Sequence, residues 1–116
     1  MIYDDFTHEE LQEKLKENLA QQSARENDIN LLETAEEDCM RMLHEDRIAT
    51  ESLHSGWTGE DAEKYISKAL EENEHLQKQC VQAFSQEKDR LQSELKKLQT
   101  EAQDISDALD RKKTEE

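Results

Sequence analysis

Two cysteines, four histidines and several paired carboxylates are the residues of this chain that could do chemistry, and their spacing argues against most of it. Cys39 and Cys80 have no Cys-x-x-Cys partner and fall on apolar stripes of helical spacing. They read as small buried hydrophobes, reduced thiols of a protein made in the cytoplasm. His8, His44, His54 and His75 form no i, i+4 pair and no His-Glu-x-x-His pattern, so no metal site is expected. A chain reversal near Trp57 would bring Cys39 opposite His75 with Cys80 about one turn away, but two thiols in an apolar seam rank above a Cys/His cluster. Acidic pairs such as Glu36-Glu37 and Glu71-Glu72 fall on solvent stripes. A general acid or base needs a cleft that shifts its pKa, and two helices alone make none. The chain therefore reads as a non-enzyme with no catalytic, cofactor-binding or metal-ligating residues.

The elements that would position any of these groups are set by punctuation. The only two glycines, Gly56 and Gly59, flank the only tryptophan, Trp57, and there is no proline in 116 residues. The chain can reverse only there. At 33% hydrophobic and 39% charged it lacks the apolar material of a conventional globular core, yet its apolar residues are periodic, which favours long helices over disorder. The expected fold is all-α: one antiparallel two-helix hairpin over 1–116, with helix 1 at about 8–54, the turn at 55–59 and helix 2 at about 60–112.

Local signals support these bounds. Thr7-His8-Glu9-Glu10 has the form of a capping box, with Phe6 placed to pack on Leu11 as a hydrophobic staple. Gly56 is expected in the left-handed conformation that ends a helix, with Trp57 folding back on Leu53. Thr58 is the expected cap of helix 2, with Glu60 and Asp61 in its first turn, where the helix dipole favours negative charge. Glu10–Lys14, Glu37–Arg41, Glu60–Lys64, Glu74–Lys78 and Asp107–Arg111 stand four apart in the favourable order, each worth roughly 0.3 kcal/mol on an exposed face. Between Gln21 and Asp28 the apolar stripe of helix 1 nearly vanishes, and that stretch is expected to be loose or kinked unless a partner covers it.

Helix 2 from Leu91 to Leu109 repeats at heptad spacing. Counted outward from Trp57, Leu109 falls opposite Asp5, where helix 1 has not begun, so Leu91, Leu95, Leu98, Ile105 and Leu109 are the expected partner-binding strip, with Ala102 among them. Charging Leu95 or Leu98 to Glu is then expected to abolish complex formation. The net charge of −15 argues against nucleic acid and anionic membrane surfaces as partners. No apolar run is long enough to span a bilayer, and the first residues, Met1-Ile2-Tyr3-Asp4-Asp5-Phe6, lack the basic and apolar regions of a cleavable signal peptide.

The segment Ser55-Gly56-Trp57-Thr58-Gly59-Glu60-Asp61-Ala62-Glu63-Lys64-Tyr65 resembles the central turn of the Trp-x-Gly (WXG-like) proteins of type VII secretion, small acidic helical hairpins, and of the small proteins encoded beside LXG-domain toxins. The resemblance covers the turn, with Gly56, Trp57 and Gly59 as its turn motif, and the layout of two flanking helices. It implies an accessory targeting factor or chaperone that binds the helical N-terminal domain of an exported LXG-type toxin, with a second small helical hairpin protein as a further partner and self-pairing as a homodimer left open. It also implies a cytoplasmic protein that leaves the cell with its cargo. Many exported members carry Tyr-x-x-x-Asp/Glu after the second helix; this chain has no aromatic beyond Phe84, so the export signal is expected from a second protein or from the cargo. The competing expectation is a self-associating structural coiled-coil protein with no secretion role.

Overall fold

Thr7 and Glu10 start the first helix as their spacing predicts. The Thr7 amide donates to Glu10 Oε1 at 3.3 Å and the Glu10 amide donates to Thr7 Oγ1 at 3.1 Å, the reciprocal box that satisfies two otherwise orphaned donors. From there α1 runs His8–Ser52, a 3-10 turn occupies Leu53–Ser55, and α2 runs Glu60–Glu115. The computed structural model describes residues 2–115, among which there is no strand. The fold is all-α, two long helices joined as a hairpin, and the reversal falls at the glycine pair.

The turn differs from expectation in detail. Gly56 has φ −126° and ψ −6°, outside the left-handed region, and the positive φ of 114° belongs to Gly59. The cause is the 3-10 turn. The Gly56 and Trp57 amides both donate to the Leu53 carbonyl, at 3.2 and 2.9 Å, so α1 tightens to its end without a left-handed residue. The chain then needs its unusual backbone step three residues later. Gly59, not Thr58, precedes the first residue of α2, and its carbonyl accepts the Glu63 amide at 3.0 Å. No atom lies within 4 Å of a Cβ built at either glycine, so substitution tests backbone strain alone. Gly59→Ala is expected to lower stability by about 1 kcal/mol, since φ near 114° is closed to L side chains, whereas Gly56→Ala is expected to be neutral or slightly stabilising. Thermal midpoints of the two variants check this.

Contacts group the chain into two units. The free-end unit joins residues through Asn30 with those from Lys88 onward. Its core is Leu11, Ile105 and Ala108, all essentially solvent-free, with Tyr3, Phe6, Leu15 and Leu109 packed around them. Tyr3 and Phe6 lie ring to ring at 6.2 Å, and Lys14 Nζ sits 4.7 Å over the Phe6 ring. Lys112 Nζ donates to the Asp4 carbonyl and Arg111 pairs with the Asp4 carboxylate, at 3.3 and 3.5 Å. The residues before helix 1 thus fold over the end of α2 that was expected to stand uncovered.

The turn-bearing unit spans Leu31–Glu87. Ala62, Ile66 and Asn73 are its buried residues, and Leu32, Cys39, Leu43, Gln77, Cys80 and Phe84 are half-buried along the seam. Of the expected helix ion pairs, Glu60–Lys64 and Glu74–Lys78 form at 3.4 and 3.5 Å, both well exposed and therefore worth little.

Candidate partner-binding surface

Helix 1 runs unbroken through Gln21–Asp28, where the apolar stripe nearly vanishes. Its seam positions there are polar and bonded. Asn18 is buried and donates through Nδ2 to the Leu98 carbonyl on α2 at 2.9 Å, while Gln22 Nε2 donates to Asn18 Oδ1 at 2.7 Å. Arg25 bridges Asp28 at 3.1 Å and Glu94 at 3.5 Å. The stripe continues in residue types that an apolar count does not see.

The same device recurs in the turn-bearing unit with the helices exchanged. Asn73 of α2 is buried and donates through Nδ2 to the Leu43 carbonyl of α1 at 2.9 Å and to Asp46 Oδ2 at 3.3 Å, and Gln77 Nε2 donates to Asn73 Oδ1 at 2.8 Å. The sequence carries the signal twice: Leu11-x3-Leu15-x2-Asn18-x3-Gln22 and Ile66-x3-Leu70-x2-Asn73-x3-Gln77. A buried Asn that donates to a carbonyl on the facing helix fixes which residues stand opposite, at a cost in stability relative to an apolar residue. Asn73→Asp, the same shape, aims a carboxylate at the Leu43 carbonyl and the Asp46 carboxylate. It is expected to cost about 2–4 kcal/mol at neutral pH. The introduced carboxyl would have its pKa raised in the fold, so the loss relative to wild type should shrink as pH falls through that value. Thermal melts of both proteins across acid pH check the sign.

The predicted partner strip lies against helix 1. Leu91 and Ile105 are buried, and Leu95, Leu98 and Leu109 are half-buried in the free-end unit, with Leu98 also giving its carbonyl to Asn18. Tyr3 and Phe6, which the count from Trp57 left outside the helical arm, pack with Leu109 against the Leu11–Ile105–Ala108 cluster. Charging Leu95 or Leu98 would therefore disturb the hairpin itself, and it no longer separates partner contact from folding.

Apolar surface is exposed elsewhere, on the turn-bearing unit. Met40 and Val81, each one residue after a seam cysteine, line one groove together, and Arg47 shares another with Leu70 and Glu74, so residues just after the seam on both helices turn to one side. Residues just before the seam turn to the other side. On α1 these are Leu31, Ala35, Met42 and Ala49; on α2 they are Tyr65, Ala69, Leu76 and Ala83. Both sets repeat at steps of four, seven and seven, one stripe per helix. Leu31 is 69% exposed, Met42 66%, Tyr65 56% and Leu76 51%. Along each stripe large residues alternate with alanines.

Trp57 caps this face. Its ring lies 5.4 Å from that of Tyr65 at 49°, a tilted aromatic pair, and it remains 42% exposed. Its backbone closes the turn through Leu53, while its ring extends the α2 stripe and leaves much of its surface open. Of the turn motif, Gly59 supplies the unusual backbone step, Gly56 the end of the 3-10 turn, and Trp57 a partly exposed ring against Tyr65.

The polar chemistry elsewhere is sparse. Cys39 meets Cys80 across the seam and not His75, which is exposed beside Lys68 and Leu76. Among the described residues no three His, Cys, Asp or Glu side chains converge as metal ligands, and no helix is long and apolar enough to cross a membrane. Comparison with known proteins finds no matching family model, no matching curated protein and no matching solved structure.

Proposed function

We propose that this protein is an accessory targeting factor of type VII secretion, a chaperone that holds the helical N-terminal domain of an exported LXG-type toxin and helps recruit it to the export machinery. The observation that carries the reading is the paired apolar face of the turn-bearing unit, where Leu31, Met42, Tyr65 and Leu76 stand exposed on two adjacent helices. A monomer gains nothing from such a face, and large apolar residues exposed together on one side of two helices point to a binding surface. Two such stripes suit an amphipathic helix laid lengthwise, whose own apolar side chains would sit over the alanines. Trp57 at the end of the face is the residue type that most often anchors an interface.

The resemblance of the Gly56-Trp57-Thr58-Gly59 turn to the Trp-x-Gly proteins points to the kind of partner, and the net charge of −15 favours a neutral or basic one. In this role the protein works in the cytoplasm without catalysis, alone or with a second small helical hairpin, and can leave with its cargo. Co-expression with the product of the adjacent large gene, followed by size-exclusion chromatography with light scattering, tests it. A stable stoichiometric complex is the expected result. A self-associating species that ignores that neighbour would favour the structural coiled-coil reading and reduce Trp57 to a turn residue.

A further inference from the structure

We propose that Cys39 and Cys80 form a redox-modification site, a facing dithiol that a low-molecular-weight disulfide converts into a cross-helix disulfide pinning α1 to α2. The inference stands on the turn-bearing unit alone and does not depend on the proposed function. The Asn73–Leu43 hydrogen bond fixes the pairing of the two helices there. Cys39 lies four residues before Leu43 and Cys80 seven residues after Asn73, so on antiparallel helices both lie away from the turn, about 6 and 10 Å along the axis. Helical side chains lean toward the N-terminus of their own helix, which tilts Cys39 away from the turn and Cys80 back toward it. The two thiols converge.

The electrostatics agree with this geometry: a hydrogen-bonding interaction with Cys39, followed by burial and the charges of Cys39 and Glu36, pushes the Cys80 thiol up to about 11. Both residues are only half-buried, so a small disulfide can reach them. Cys80, held protonated, suits the second step better than the first.

The chemistry balances with a small disulfide RSSR as oxidant. The Cys39 thiolate attacks one sulfur, the RSSR bond breaks, and RS⁻ leaves and takes up a proton, giving a mixed disulfide on Cys39. Cys80 then loses its proton to solvent and attacks Cys39 Sγ, expelling the second RSH. Two protein thiols are oxidised to one disulfide, and RSSR is reduced to two RSH. A glutathione-type reductant reverses both steps.

The test uses the full chain, reduced and then incubated with oxidised glutathione, with intact mass, thiol count and thermal midpoint as readouts. The expected product is a monomer lighter by two hydrogens, without free thiols and without a glutathione adduct, melting at least about 5 °C higher because the closed loop limits the unfolded chain. Cys80→Ser removes the second step and should trap one glutathione on Cys39, at a level at least about tenfold above any adduct on wild type, because closure within one chain outruns exchange with free thiol. Stable adducts on both wild-type cysteines, a disulfide between two chains, or no loss of thiols would each overturn the assignment.

Discussion

Ile105→Glu is expected to undo the packing of the free-end unit. Ile105 is fully buried with Leu11 and Ala108, and Tyr3, Phe6, Leu15 and Leu109 pack against that cluster. The substitution removes an apolar side chain from a small core and replaces it with a charge that must stay solvated, at a combined cost of about 4 kcal/mol or more. Stability of a small domain is of the order of 5–15 kcal/mol, and a hairpin that buries one stripe per helix stands at the low end. Most of the helical circular-dichroism signal should therefore be lost at a temperature where wild type is folded. Amide exchange should locate the damage, with protection falling first in residues through Asn30 and from Lys88 onward. Ile105→Val, which deletes one methyl group, should cost only about 1 kcal/mol. A charged variant that melts with wild type would mean that Ile105 is not in the core.

Joint substitution of Met42→Glu and Leu76→Glu is expected to abolish partner binding while leaving the hairpin folded. Both side chains are more than half exposed and each stands one residue before the seam, so neither carries packing between α1 and α2. Surface changes of this kind move stability by about 0.5 kcal/mol or less. For a helical partner laid on the face, the same residues are central anchors, each worth about 2 kcal/mol when lost. Together they correspond to a roughly thousandfold weaker complex. Titration calorimetry with the helical domain of the proposed toxin partner reads the affinity, and circular dichroism confirms that the fold persists. Unchanged affinity in a folded double variant would move the partner off this face. Leu95→Glu is the instructive contrast, because it should fail in folding as well as in binding.

The strip from Leu91 to Leu109 shows how one periodicity serves two readings, a partner-facing strip or a seam within the hairpin. Heptad spacing identified these leucines as seam residues, and the structure agrees. Their assignment to a partner rested on counting helical residues outward from Trp57, which treated Tyr3 and Phe6 as lying outside the pairing. A six-residue segment that is not helix can still cover a helix end, and here it does so through two aromatic rings and the Asp4 contacts to Arg111 and Lys112. The real exposed face was harder to see. Leu31, Met42, Tyr65 and Leu76 look like seam residues in an apolar count, because they lie only one position from Leu32, Leu43, Ile66 and Gln77. Which of two adjacent residues turns inward depends on the rotation of each helix about its own axis.

By itself the sequence determined what local chemistry controls. Thr7 and Glu10 set the start of α1, the glycine pair set the reversal, the absence of proline left both helices uninterrupted, and apolar periodicity specified two helices. Only the tertiary structure decided which stripe became the seam. Asn18 and Asn73 lie in that seam because each finds a carbonyl on the facing helix, Leu98 and Leu43, that satisfies an amide which would otherwise be costly to bury. In the turn-bearing unit the Asn73–Leu43 bond sets the pairing of the helices, and with it Cys39 faces Cys80 while Met42 and Leu76 stand exposed. A polar residue's fitness for the interior depends on a partner distant in sequence, and no local pattern contains that partner.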